Sequence, residues 1–167
     1  MRNIGFHGGH TIYELGSTSD MILFFECIKV YVVQNHPQQD WSLITDRLYK
    51  RYLHLEELNE ASKLMNKIIE IFTALPNAAI NWEDSKVTPE NTMLNSKLPT
   101  LADIFSRYFE HFFSAIESAK SFVVAFEIYQ PVRIVISDMP AFMLEKKRSL
   151  EEYDNLVGEP FWLRKAE

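Results

Sequence analysis

The residues whose types could do chemistry are five histidines, one cysteine and a scatter of carboxylates, and their spacing limits what they can do. His7-Gly8-Gly9-His10 sets two imidazoles close together near the start of the chain. Paired imidazoles could begin a zinc site, but such a site needs three or four ligands. His36, His54, His111 and Cys27 stand at no ligand spacing from the pair, so no metal is expected. The glycines are not a G-x-G-x-x-G fingerprint, nor is there a P-loop G-K-[ST]. Gly-Gly between alternating apolar residues instead signals a two-residue hairpin. With Gly8-Gly9 as the turn, His7 faces His10, Phe6 faces Thr11 and Ile4 faces Tyr13. Ile4, Phe6, Tyr13 and Leu15 then share one face and the histidines the other.

Among the carboxylates, Glu83-Asp84 beside Trp82 is the pair best placed for general acid-base work, at the exit of an expected strand. Adjacent strand residues point to opposite faces, so the two would converge only across a turn. A solvated turn and a contact to a basic partner are the other readings. Glu56, Glu57 and Glu60 form the densest acidic group; they read either as the solvated first turn of a helix, where acids favour the dipole, or as a docking surface. No G-x-S-x-G or HExxH occurs. Cys27 lies in an apolar run and reads as a small buried hydrophobe. Trp41, Trp82 and Trp162 read as core or cover residues, with Trp162 expected to be partly exposed. No catalytic residue, metal or cofactor is assigned.

These residues must be positioned by regular elements. Ser17, Thr18, Ser19 and Asp20 supply caps for a helix from about Met21 to Gln34, whose apolar residues occupy more than one face. Asn35-His36-Pro37 ends it, and Asp40 can cap a second helix with Trp41, Ile44, Leu48 and Tyr52 in one stripe. A third runs from about Leu55 to Phe72 with Leu58, Ala61, Met65, Ile68 and Phe72 inward. Residues 78–82 read as a short strand, 83–98 as a long polar loop, and Thr100 with Asp103 as a capping box opening a helix that fades near Lys120. Residues 122–137 read as two strands around Gln130-Pro131, and Asp138 with Pro140 as the start of a last helix. The order ββ-α-α-α-β-α-β-β-α implies an α+β domain spanning 1–167, a mostly antiparallel sheet with an N-terminal hairpin covered by about five helices.

With 167 residues and a net charge of −6, the chain is large enough for one sizeable core and too acidic for non-specific nucleic-acid binding. A basic partner suits it better. One cysteine excludes an internal disulfide framework and fits a reducing, cytoplasmic setting. The longest apolar run, residues 21–33, carries Glu26 and Lys29 and is too short and too charged to span a bilayer. The first residues lack the pattern of a secretory leader.

The succession of Tyr13-Glu14-Leu15-Gly16-Ser17, Phe24-Phe25, Leu48-Tyr49 and Trp82 with Asp84, continuing to the LADIF helix start, resembles immunity protein family 70 of bacterial polymorphic and contact-dependent inhibition toxin systems. The resemblance covers about residues 4–120. It implies a non-enzymatic cytoplasmic protein that binds one cognate toxin domain and blocks its activity. Such toxins are often nucleases, whose basic surface would complement an acidic inhibitor. Glu83, Asp84, Glu56, Glu57, Glu60 and Trp82 are then the candidate contacts. The competing reading is a small cytosolic hydrolase or ligand-binding protein with a cleft near Glu83-Asp84.

Overall fold

The chain first reverses at Gly9-His10. In the computed structural model, which describes residues 3–81, 92, 94–137 and 150–163, β1 (Asn3–Gly8) and β2 (Thr11–Ser17) pair antiparallel. Gly8 lies opposite Thr11, His7 opposite Ile12 and Phe6 opposite Tyr13. The turn therefore sits one residue later than Gly8-Gly9, which moves the partners of Phe6 and His7 by two, and a bulge between Ile4 and Gly5 moves that of Ile4 by three, from Tyr13 to Gly16. Phe6 and Tyr13 stay on one face, but His7 and His10 no longer face each other. Gly9 alone in the turn takes a positive φ, 60°, as a II′ turn requires of its first residue. Gly8 stays in the strand, where any Cβ would lie 2.0 Å from the Ala115 carbonyl oxygen; its role is close packing.

β3 (Arg133–Ile136) adds to the other side of β1, with Phe6 opposite Ile134 and His7 opposite Arg133, giving the antiparallel order β2-β1-β3. The middle strand is buried from Ile4 to Gly8. Helix α4 (Ser106–Phe126) covers one face, where Phe6 meets Phe112 edge-on at 5.9 Å. The C-terminal segment covers the other, setting the Tyr153 ring 5.0 Å from the buried Arg133 guanidinium.

Ser17 ends β2 and caps α1 (Thr18–Cys27), its Oγ accepting from Asp20 N at 3.2 Å. The helix thus starts three residues before the expected Met21, since the serine, not the aspartate, supplies the cap. It widens into a π-helical stretch, Ile28–Val33, with a second one at Leu43–Leu48. A 3₁₀ turn at Leu55–Glu57 leads into α2 (Leu58–Thr73), where Leu58, Ala61, Met65, Ile68 and Phe72 are all buried as their spacing requires. Phe24 is the hub between these helices, its ring 5.0–6.2 Å from Phe25, Phe72, Phe105, Tyr108 and Phe109. Such ring pairs each add about 0.5–1.5 kcal/mol beyond area burial.

Three expected elements differ. Residues 77–79 form a 3₁₀ turn rather than opening a strand, and only Pro76 makes a ladder contact, with Thr100. Proline ahead of the run fixes the turn start. The capping box at Thr100 forms as expected, with Asp103 N donating to Thr100 Oγ1 at 3.2 Å and Thr100 N to Asp103 Oδ2 at 3.3 Å. It opens the short α3 (Leu101–Ile104), which breaks at Phe105 before α4. Residues 122–126, expected as strand, continue α4 to Phe126. The helical penalty of Val and Phe is only about 0.5 kcal/mol each, and Phe122 and Phe126, one turn apart, both reach the His10 ring. The expected helix start at Asp138 and Pro140 lies outside the described residues.

The C-terminal part contributes α5 (Leu150–Asp154) and a 3₁₀ turn at Phe161–Leu163. Tyr52, Tyr153, Leu156 and Phe161 make a satellite apolar cluster. Trp162, expected to be partly exposed, is only 3% exposed, because its indole ring packs 5.6 Å from Tyr49 and its Nε1 finds a carbonyl there.

Candidate functional site

The acidic triplet does not act as one patch. Glu57 turns back on its own helix start, where its Oε1 accepts from His54 N at 2.8 Å and stands 3.8 Å from Arg47 Nε. It is the third residue after the cap, the position from which a glutamate reaches the cap backbone. Glu56 and Glu60 are exposed and add to the negative potential at this corner.

Behind the corner lies a polar hub that spacing alone did not reveal. The Arg47 guanidinium bonds the Asp154 carboxylate, His54 Nε2 lies 3.1 Å from the same Oδ1, and Arg51 Nη1 donates to the Asp154 carbonyl at 3.1 Å. Burial would raise the Asp154 carboxyl, but the hydrogen bonds and charges of Arg47 and His54 hold it below the ordinary carboxylate range. Arg47, Arg51 and His54 come from one stretch of chain and Asp154 from α5. The hub therefore ties the C-terminal segment to the acidic corner. The Asp154 carboxylate is held by the Arg47 and His54 side chains at once, which suits bracing rather than proton transfer.

Trp82, Glu83 and Asp84, the expected strand-exit pair and its neighbour, lie outside the described residues. The chain enters that stretch from an apolar groove of about 570 Å³, walled by Ile22, Leu23, Val30, Tyr31 and Ile80 with Glu26 on the rim. Cys27 lines it, and burial pushes its thiol up to about 12, so it is protonated and a poor nucleophile at neutral pH. The Tyr31 hydroxyl donates to the Ala79 carbonyl and closes one wall.

The two N-terminal imidazoles have separate fates. His7 is buried opposite Ile12, and burial together with the Arg133 charge lowers its pKa to about 4. His10 is exposed in the turn with its ring 4.2 Å from Phe122. Among the described residues no group of three or more His, Cys, Asp or Glu could hold a metal ion. No described helix is long and apolar enough to cross a membrane.

Sequence reasoning also missed the end of α4. Val124, Phe126 and Ile128 are 85%, 60% and 56% exposed, and the signal was available: an apolar run continuing a helix beyond the sheet it covers.

Comparison with curated proteins and with solved structures gives no match. A family model does match, that of immunity protein 70, over residues 6–134. The match takes in the hairpin from Phe6 onward, the capped α1, the acidic corner, all of α4 and the start of β3. Most of the described fold thus lies inside it, and the chain belongs to the immunity protein 70 family.

Proposed function

We propose that this chain is the cytoplasmic antidote of a contact-dependent or related polymorphic toxin system, and that it neutralises a basic cognate toxin domain, a nuclease, by direct non-catalytic binding. The family match over residues 6–134 carries the reading. The net charge of −6 and the exposed Glu56 and Glu60 support it, because an acidic surface raises the encounter rate with a protein built to hold nucleic acid. Glu83, Asp84 and Trp82 remain candidate contacts beside them. Glu57 serves the corner itself.

The test is co-expression of this chain with the toxin gene beside it. Cells survive and a 1:1 complex elutes on gel filtration if the reading holds. Equal killing with and without the chain, and no complex, would return the choice to a small hydrolase or ligand-binding protein with its cleft near Glu83-Asp84.

A further inference from the structure

The last turn of α4 combines two features that ordinary folding would avoid. Among the described residues of the family-matched part, Val124, Phe126 and Ile128 carry the highest apolar exposures, and the Phe126 ring continues into that of half-buried Phe122, 4.6 Å away; exposed apolar surface of this kind marks interaction sites in soluble proteins. Between Phe126 and Ile128 stands Glu127, the helix C-cap, at φ 57°. Among the described residues it is the only one other than glycine with positive φ. Where a helix ends on a left-handed residue, that residue is usually glycine, which has no Cβ to strain. A carboxylate there is unfavourable a second time, since it meets the negative end of the helix dipole, and the last turn holds no basic residue to offset it. Backbone strain kept at one residue points to use.

The surface is also held ready. The His10 ring lies 4.2 Å from Phe122, and Phe122 lies 4.6 Å from Phe126, so the hairpin turn props the aromatic pair. The turn itself rests on α4 where a Cβ on Gly9 would come 2.8 Å from the Ser118 carbonyl oxygen. Pre-organised aromatic groups lose little entropy on binding and dominate interface energies.

We infer that this tip, centred on Phe126 and Glu127, is an anchor for the toxin domain, receiving a lysine or arginine of that partner set among apolar side chains. The inference rests on the proposed function and names the place and chemistry of the contact. The partner's cation meets the Glu127 carboxylate and the last α4 carbonyls. Its methylene stem lies along Phe126, where ring and cation also attract. Complementary charge decides the occupant: a second copy of this chain would bring another carboxylate to the same spot.

Three variants of the full chain are titrated against the toxin domain by calorimetry, with melting temperatures measured in parallel. Phe126→Ser weakens binding by about tenfold or more. Glu127→Gly raises the melting temperature, as the strain is relieved, yet weakens binding by about tenfold. Val157→Ser, an exposed apolar position outside the matched region, leaves affinity unchanged. Wild-type affinity in both tip variants overturns the anchor while leaving toxin binding intact. No binding by the unaltered chain overturns the proposed function and the anchor with it. A free chain that is dimeric on gel filtration, and made monomeric by Phe126→Ser, shows a second copy on the tip and equally overturns it.

Discussion

The indole Nε1 of Trp162 donates to the main-chain carbonyl of Tyr49 at 2.8 Å, joining a segment beyond the family match to the heart of the matched region. With the Asp154 hub and the Tyr52–Tyr153–Leu156–Phe161 cluster, this bond straps residues 150–163 across the sheet face that α4 leaves uncovered. Trp162→Ala is expected to cost about 3–5 kcal/mol in denaturant unfolding, as large aromatic truncations do. A loss below about 0.5 kcal/mol, typical of surface changes, would mean the strap is not part of the cooperative unit.

Gly8 tests the register. A methyl group there meets the Ala115 backbone, which cannot step aside as a side-chain tip could. Gly8→Ala should therefore destabilise by about 1–3 kcal/mol. A neutral result in thermal unfolding would place the turn at Gly8 and detach α4 from the strand.

His7 makes stability depend on pH. Its folded pKa is about 4 against about 6.5 unfolded, so between those values the unfolded chain binds a proton that the folded chain refuses. Stability is full above about pH 6.5, falls as pH drops toward 4 and levels below that, by about 3 kcal/mol in all. His7→Gln should flatten that part of the curve. Parallel urea titrations at pH 7 and pH 4.5 measure it, and an equal loss of unfolding free energy between the two pH values in both proteins would show that His7 is not buried neutral.

Glu57 and its two neighbours should separate by phenotype. Glu57→Ala removes the side-chain acceptor for the His54 backbone N–H at the start of the 55–57 turn and costs about 0.5–1.5 kcal/mol of stability. Glu56→Lys with Glu60→Lys leaves the melt unchanged and slows toxin association, more so at low salt, since steering by exposed charges fades beyond about 8–10 Å at physiological ionic strength. Stopped-flow association rates across a salt series decide it. A rate unaffected by the double reversal would make this corner a merely solvated face.

What was legible in the chain was what neighbouring residues settle among themselves. Hydroxyl caps at Ser17 and Thr100 act over three residues, and the α2 stripe repeats within a turn or two, so both could be read without knowing what they pack against. The existence of the hairpin and the α+β class followed from the same local rules. The rest was decided by groups far apart in sequence. Ala115 keeps Gly8 out of the turn, His10 draws residues 122–126 into helix, and Tyr49 hides Trp162. Arg47 meets Asp154 across 107 positions. The inward turn of Glu57 follows partly from that placement, since a flexible carboxylate takes whichever donors the fold brings within reach. The exposed tip of α4 is tertiary for the same reason: an apolar side chain declares its burial only when the fold has, or has not, supplied a surface to cover it.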